Sequence, residues 1–169
     1  MPTVQIPYFN NLEQNSVKEY YCTDAKVGGK KITLDLNFAK TVMDQKTLEV
    51  LKNILNRLPE IAQANIKAYR NDFSKRGETH SYIEFYLEEL FEEELKELID
   101  ITQEVEKQQK EILSKLELKR IGLYPDGKYG TKYFGVFDYS IKISGEFSNQ
   151  LLVVKTDENG VLDHITWES

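Results

Sequence analysis

The order of strand-forming and helix-forming residues constrains the fold of this 169-residue chain more than any other feature. Residues 1–38 and 117–169 are rich in Tyr, Val and Ile, which favour strands, whereas residues 39–116 are rich in Leu, Glu, Lys, Gln and Ala, which favour helices. No linker-like segment separates these blocks. We therefore predict one α+β domain over residues 1–169, in which a mainly antiparallel sheet from both ends of the chain is covered by a central block of about four helices.

Alternating apolar and polar residues mark the strands of the predicted sheet. Lys31–Phe38 alternates strictly, and Gly28-Gly29 before it supplies the positive φ angles of a hairpin turn that leads back to Val17–Thr23. A four-stranded meander is predicted in the C-terminal block, from residues 118–124, 132–143, 151–156 and 161–167. The N-terminal hairpin must pair beside this meander if both blocks share one sheet.

Apolar residues at steps of three and four predict about four helices in the central block. Asp44 caps the first helix, and Pro59 suits the first turn of the second. The third begins after Thr79 and carries Phe91 on its core-facing stripe. The fourth begins at Asp100, which starts a sequence with capping-box spacing.

The net charge of -6 is concentrated in one part of the chain. Residues 82–117 contain 4 basic and 12 acidic residues, whereas residues 1–81 contain 12 basic and 9 acidic, and residues 118–169 contain 6 and 7. The acidic balance argues against binding to nucleic acids or to anionic membranes, and we expect neither partner.

Six glutamates of the acidic segment form two series with a spacing of four residues. On one continuous helix each series would align like charges, which destabilises a helix by about 0.2–0.5 kcal/mol per pair. We predict that they form a docking surface for a protein partner with a basic surface. The alternative is a solvated helix face. The candidate partner-binding residues are Glu84, Glu88, Glu89, Glu92, Glu93 and Glu97.

The sequence contains no recognisable signature of catalysis or of metal binding. Its two histidines, His80 and His164, lie outside any metal-ligand spacing, and Cys22 has no partner cysteine. We therefore predict no catalytic residue, no metal site and no cofactor. The chain shows neither a signal peptide nor an apolar segment of the roughly 20 residues that a membrane span needs, so we expect a cytoplasmic protein.

Aromatic and carboxylate side chains of the C-terminal strands provide a second candidate site. Such side chains suit a ligand groove, although a tyrosine-rich stripe also fits a sheet core whose hydroxyl groups lie at the rim. Asp138 is unusual because Phe134 and Val136 share its face, so its carboxylate must be paired, exposed at an edge or functional. The candidate groove residues are Tyr124, Asp126, Tyr133, Asp138, Tyr139 and Trp167.

Five segments carry a resemblance to a known family: Lys119–Asp126, Val136–Tyr139, Asn149–Lys155, Ile165–Ser169 and Tyr82–Leu90. From about residue 30 to its end, the chain resembles a bacterial domain of unknown function that occurs in short stand-alone proteins of this size. That resemblance implies no established activity. In size and acidity the chain also resembles the immunity proteins of bacterial toxin systems, by analogy only.

Three functions are compatible with these features. The leading hypothesis is a non-catalytic protein-binding domain, in its sharpest form an immunity-type protein whose acidic helices occlude a basic partner. The alternative is a small-molecule-binding or enzymatic domain that uses the Tyr/Asp groove. A third is a component of an oligomer that assembles through an open sheet edge; the sequence gives no oligomeric state.

Overall fold

The computed structural model describes residues 3–169 and shows the predicted α+β class. Within these residues, a six-stranded mixed sheet is accompanied by two small antiparallel sheets and five α-helices. The strands are β1 (Thr3–Ile6), β2 (Asn10–Glu13), β3 (Tyr20–Val27), β4 (Lys30–Asn37), β5 (Glu117–Leu123), β6 (Gly135–Ser140), β7 (Lys142–Ile143), β8 (Glu146–Phe147), β9 (Leu151–Thr156) and β10 (Leu162–Glu168). The helices are α1 (Gln45–Asn56), α2 (Leu58–Ser74), α3 (Glu78–Glu89), α4 (Glu92–Leu98) and α5 (Val105–Leu113).

The main sheet joins the two ends of the chain in the order β10-β9-β6-β5-β4-β3. All its neighbouring strands are antiparallel except β4 and β5, which are parallel. A parallel pair needs a long crossover connection, and the helical block between β4 and β5 provides it. The prediction that the N-terminal hairpin pairs beside the C-terminal meander is therefore confirmed.

The hairpin β3–β4 starts later in the sequence than predicted. Val27 pairs with Lys30, so Gly28 and Gly29 alone form the turn, with φ angles of 58° and 79°. Both strands therefore extend right up to the glycines. Val17, which we placed in the first strand, instead donates its backbone N–H to the carbonyl of Thr41.

The helices cover one face of the main sheet and leave the opposite face open. On β4, the side chains of Ile32, Leu34 and Leu36 are at most 3% exposed and belong to the core beneath the helices. Phe137 and Tyr139 on β6 lie on the same side. Because successive strand residues alternate between faces, the intervening residues of each strand lie on the open face.

Two helix starts agree with the sequence. Asp44 accepts a hydrogen bond from the backbone N–H of Thr47 at 2.7 Å, so its predicted role as the cap of α1 is confirmed. Pro59 lies in the first turn of α2, where its missing N–H leaves no hydrogen bond unmade.

The predicted third helix is divided in two. Leu90 adopts extended backbone angles, so α3 ends at Glu89 and the short α4 begins at Glu92. The Glu94 carboxylate accepts a hydrogen bond from the backbone N–H of Phe91 at 3.1 Å, which stabilises the new start. The prediction that Phe91 packs in the core is wrong, because Phe91 lies at this break and is 78% exposed.

The predicted start of the last helix is also wrong. Asp100 does not cap a helix; its carboxylate accepts hydrogen bonds from the backbone N–H and the hydroxyl of Thr102, at 3.0 and 2.6 Å. These local bonds stabilise a turn, and the helix begins only at Val105. Within residues 3–169, no helix combines the length and the apolar character needed to cross a bilayer.

Candidate functional site

An arginine at the centre of the open sheet face is flanked by two aspartates from the neighbouring strands. The antiparallel register of β5 and β6 places Arg120 opposite Asp138, and the parallel register of β4 and β5 places Asp35 opposite Gly122. A register shift in β5 immediately precedes Arg120. We refer to Arg120, Asp35 and Asp138 as the Arg120 cluster.

The hydrogen bonds of the Arg120 cluster are short and directional. Arg120 Nε and Nη2 donate to Oδ1 and Oδ2 of Asp35 at 2.7 and 2.8 Å, and Nη1 donates to Oδ2 of Asp138 at 3.1 Å. Nη2 also donates to the hydroxyl of Tyr124 at 3.2 Å. The Asn37 amide donates to Asp35 Oδ2 at 2.6 Å. The bidentate Arg–carboxylate geometry is the strongest type of side-chain ion pair.

Gly122 makes room for this arrangement. A Cβ atom at position 122 would lie 2.9 Å from Cζ of Arg120, closer than a Cβ atom approaches a non-bonded atom. The guanidinium therefore crosses the sheet surface over the glycine backbone to reach Asp35 on the next strand. Any larger residue at position 122 would displace it.

The cluster is largely removed from water. Asp35 is 1% exposed and Asp138 is 7% exposed, whereas the Arg120 side chain keeps 31% of its surface accessible. Burial lowers the pKa of Arg120, but hydrogen bonds to Asp35 and Tyr124 and the charges of both aspartates outweigh burial and raise it. Burial raises the pKa of Asp138; Arg120 opposes this effect, and the charges of Glu168 and Asp35 add to it.

A groove of about 530 Å³ lies above the cluster. Val136, Leu151 and Val153 contribute an aliphatic part of its lining, next to Arg120 and Asp138. The loop between β5 and β6 borders it with polar and aromatic side chains, from Tyr124, Thr131, Lys132 and Tyr133.

Beside the loop, Lys155 and Glu168 also line the groove and form an ordered set with neighbouring aromatic groups. Lys155 Nζ lies 3.2 Å from Oε2 of Glu168 and 5.2 Å from the ring centre of Tyr133. The Tyr133 ring in turn contacts the ring of His164, with centres 4.9 Å apart. The groove thus offers a fixed cation, buried and exposed carboxylates and two tyrosines, a set suited to ion pairing and hydrogen bonding with a polar ligand.

Three of the six predicted groove residues, Tyr124, Tyr133 and Asp138, line this groove. Asp126 has a different place: its carboxylate accepts hydrogen bonds from the backbone N–H groups of Ala39 at 2.8 Å and Lys40 at 2.9 Å. It therefore ties the β5–β6 loop to the segment that follows β4. Asp126 positions the groove border and does not line the groove.

Tyr139 and Trp167 lie on the other face of the sheet. The Tyr139 ring packs against that of Tyr69, with centres 5.2 Å apart. Trp167 packs against Phe85 at 5.2 Å and donates from Nε1 to the side chain of Gln150 at 2.8 Å. The alternation of strand residues puts both aromatics towards the helices, so neither belongs to the groove.

The sequence-based prediction missed Arg120, Asp35, Lys155 and Glu168. The available signal was the position of Arg120 directly before the apolar end of β5, Ile121–Leu123, together with Asp35 on the polar side of β4. A charged residue inside a central strand requires a partner. Which carboxylate it contacts depends on which strand of the N-terminal hairpin pairs with β5 and on the register, and neither of these was predicted.

The six candidate glutamates do not form the two aligned series that one helix would give. That prediction is wrong, because the break at Leu90 puts Glu84, Glu88 and Glu89 on α3 and the other three on α4. A continuous helix would have brought Glu88 next to Glu92 and Glu89 next to Glu93, and the break relieves this repulsion.

Half of these glutamates contact other polar side chains. Glu84 Oε1 lies 3.6 Å from His80 Nδ1, Glu92 lies 2.9 Å from Lys96 Nζ, and Glu97 accepts a hydrogen bond from the Ser144 hydroxyl at 3.3 Å. The other half form no ion pair within residues 3–169 and are exposed: Glu88, Glu89 and Glu93. We call these three residues, with Phe91 between them, the acidic surface.

In the part of the chain that the structure describes, no group of three or more His, Cys, Asp or Glu side chains is arranged to hold a metal ion. Comparison with protein-family models, with curated proteins and with solved structures gives no match for this chain. Its function must therefore be inferred from the groove and from the acidic surface.

Proposed function

We propose that this protein is a non-catalytic binding domain that recognises a protein partner through the groove on its open sheet face. The observation that carries this proposal is the Arg120 cluster beneath the groove. Removing charged groups from water costs several kcal/mol per ion, and apolar residues often replace buried ion pairs without loss of stability. Charges placed in this way at a concave surface favour a functional site over a purely structural one.

Exposed tyrosines near the groove favour a protein as the partner. Tyr20 is 55% exposed on the open face, opposite Asn37 of β4, and Tyr129 is 79% exposed beside Gly130, which borders the groove. Tyrosine and arginine are enriched in protein interfaces because they combine apolar contact area with hydrogen bonding. These two tyrosines extend the candidate interface beyond the lining of the groove itself.

A pull-down with matched variants tests this proposal. The bait is the full chain as wild type, or with Lys132→Ala and Tyr133→Ala, both at the groove border and outside the buried cluster. We expect the wild type to capture a partner from a native lysate and the double variant to lose it while keeping wild-type thermal stability. An unchanged set of captured proteins with the folded double variant would overturn the proposal.

The acidic surface supports a second candidate function, the docking of a partner with a basic surface. Its specific observation is Phe91, which is 78% exposed and lies between exposed glutamates that form no ion pair within residues 3–169, on both sides of the helix break. An exposed aromatic side chain provides an apolar anchor for a partner. The like-charged residues around it steer a partner of opposite charge. An immunity-type protein that occludes a basic toxin surface is the sharpest form of this candidate.

Charge reversal distinguishes the two candidates. Glu88, Glu89 and Glu93 are changed together to Lys, and the matched control changes three exposed glutamates elsewhere, Glu13, Glu49 and Glu78, to Lys. If the acidic surface docks the partner, the first triple variant loses it and the control, with the same net charge, retains it. Equal capture by both variants would exclude the acidic surface and leave the groove proposal in place.

A further inference from the structure

Most donors and acceptors of the Arg120 cluster already form hydrogen bonds, and the exception is at Asp138. Arg120 donates four hydrogen bonds, and both oxygens of Asp35 accept bonds from Arg120. Within residues 3–169, Asp138 accepts one side-chain hydrogen bond, at Oδ2. Asp138 lines the groove although it is only 7% exposed. Its Oδ1 is therefore the acceptor that the cluster leaves for a ligand.

The charges of the cluster do not balance. Two carboxylates share one guanidinium, so the cluster carries an excess of one negative charge when both aspartates are ionised. Glu168, at the border of the same groove, adds a carboxylate whose charge acts on Asp138. A buried carboxylate that lacks a full counter-charge is destabilised, and a ligand cation would relieve this.

The other cations of the groove do not supply that counter-charge. Lys155 is paired with Glu168 at 3.2 Å and held over the ring of Tyr133. Lys132 is exposed, so its charge is screened by water. Asp138 is therefore the buried carboxylate of the groove that lacks a full counter-charge.

We propose that the groove binds a guanidinium or ammonium group, the side chain of an arginine or lysine of the protein partner, at the free oxygen of Asp138. This inference rests on the proposed recognition of a protein partner by the groove. Tyr124 also lines the groove, and the face of an aromatic ring stabilises such a cation, as the ring of Tyr133 already does for Lys155. The acidic net charge of the chain, -6, attracts a basic partner from a distance.

Binding of three small probes tests the charge of the ligand. The probes are Nα-acetyl-arginine methylamide, the citrulline analogue, which has nearly the same shape without the charge, and the glutamate analogue. Amide chemical shifts of the full chain are followed during each titration. We expect the arginine probe to shift the resonances of Val136, Asp138 and Lys155, and to bind about tenfold more tightly than the citrulline probe.

Two variants locate the binding group. Asp138→Asn keeps the shape of the side chain and should weaken the arginine probe by about tenfold. Asp24→Asn removes one charge from an exposed position on β3 and should leave binding unchanged. Amide spectra and thermal unfolding of both variants verify that they are folded.

The outcomes separate this inference from the proposed function. Equal binding of the arginine and citrulline probes, no binding of the arginine probe, or full binding to folded Asp138→Asn would overturn the cation site. Binding of the glutamate probe in the groove, without the arginine probe, would overturn it and leave recognition by the groove intact. Loss of the partner with the groove-border variant tests that recognition independently.

Discussion

Arg120 donates to both carboxylate oxygens of Asp35, at 2.7 and 2.8 Å, across a separation of 85 residues in the sequence. The two residues lie on β5 and β4, the parallel pair of the main sheet. Their ion pair therefore joins the N-terminal hairpin to the C-terminal meander at the point where the two parts of the sheet meet. It also fixes the guanidinium at the base of the groove.

Removal of the arginine should destabilise the fold strongly. Arg120→Met leaves the carboxylates of Asp35 and Asp138 buried without a counter-charge, and we expect the free energy of unfolding to fall by about 3 kcal/mol. Urea denaturation followed by fluorescence of the single tryptophan measures this change. Lys26→Met, which removes a positive charge from an exposed position on β3, should change stability by less than about 0.5 kcal/mol. Similar values for the two variants would contradict the role of the cluster.

Gly122 should tolerate no side chain while Arg120 is present. Gly122→Ala places a methyl group against the guanidinium, and we expect a loss of about 1–3 kcal/mol in the free energy of unfolding. In the Arg120→Met background the same change should cost much less, because the group that it displaces is gone. Additive effects of the two substitutions would show that the glycine has another role.

Asp138 should titrate above the ordinary carboxyl value of 3.8, because burial raises its pKa. Side-chain carbon chemical shifts measured against pH give this pKa directly. Asp44, whose pKa is lowered by its hydrogen bonds to Thr47, serves as an internal comparison and should titrate below 3.8. Glu168→Gln should lower the pKa of Asp138, since the charge of Glu168 helps to raise it. A pKa of Asp138 at or below that of Asp44 would contradict the prediction.

The raised pKa of Asp138 also fixes the sign of a pH effect on stability. The folded state binds this proton more tightly than the unfolded state, so the contribution of Asp138 is most favourable below pH 3.8. It is lost as the pH rises from 3.8 through the folded pKa. Relative to Asp138→Asn, the wild type should therefore become less stable across this window, as thermal unfolding at several pH values will show. A difference that stays constant or increases with pH would rule out this linkage.

Phe91 should contribute little to stability despite its size. Phe91 is 78% exposed, so Phe91→Ala should change the free energy of unfolding by less than about 0.5 kcal/mol. Phe137 is fully buried, and the matched substitution Phe137→Ala should cost about 3–5 kcal/mol. Denaturation curves of both variants compare the two sites. A large loss of stability in Phe91→Ala would instead indicate that Phe91 packs in the core, as the helical periodicity predicts.

Local patterns were sufficient for much of the fold. Strict alternation in β4, the paired glycines before it and the cap at Asp44 are each decided by a few neighbouring residues, and each appears in the structure. The division of the third helix was not predictable in this way. The apolar periodicity continues across Leu90, although the backbone of Leu90 is extended and the short α4 that follows contacts β7.

The candidate site was predictable only in part, for the same reason. Period-two alternation predicts that the side chains of Asp138 and Tyr139 point to opposite faces of the sheet, and they do so in the structure. The pattern does not show which face of the sheet the helices cover. Our assignment of Tyr139 and Trp167 to the groove was therefore wrong. Arg120 and Asp35 were missed because nothing local relates residues 85 positions apart.

The sequence by itself determined the fold class and the composition of each part of this protein, because hydrophobic periodicity and turn chemistry act over a few residues. It also determined that the excess negative charge lies in residues 82–117. Only the tertiary structure decided that Arg120 pairs with Asp35 and Asp138, and that Phe91 faces solvent. Strand order and register bring distant charges together, and the energy of a buried charge depends on those neighbours rather than on its place in the sequence.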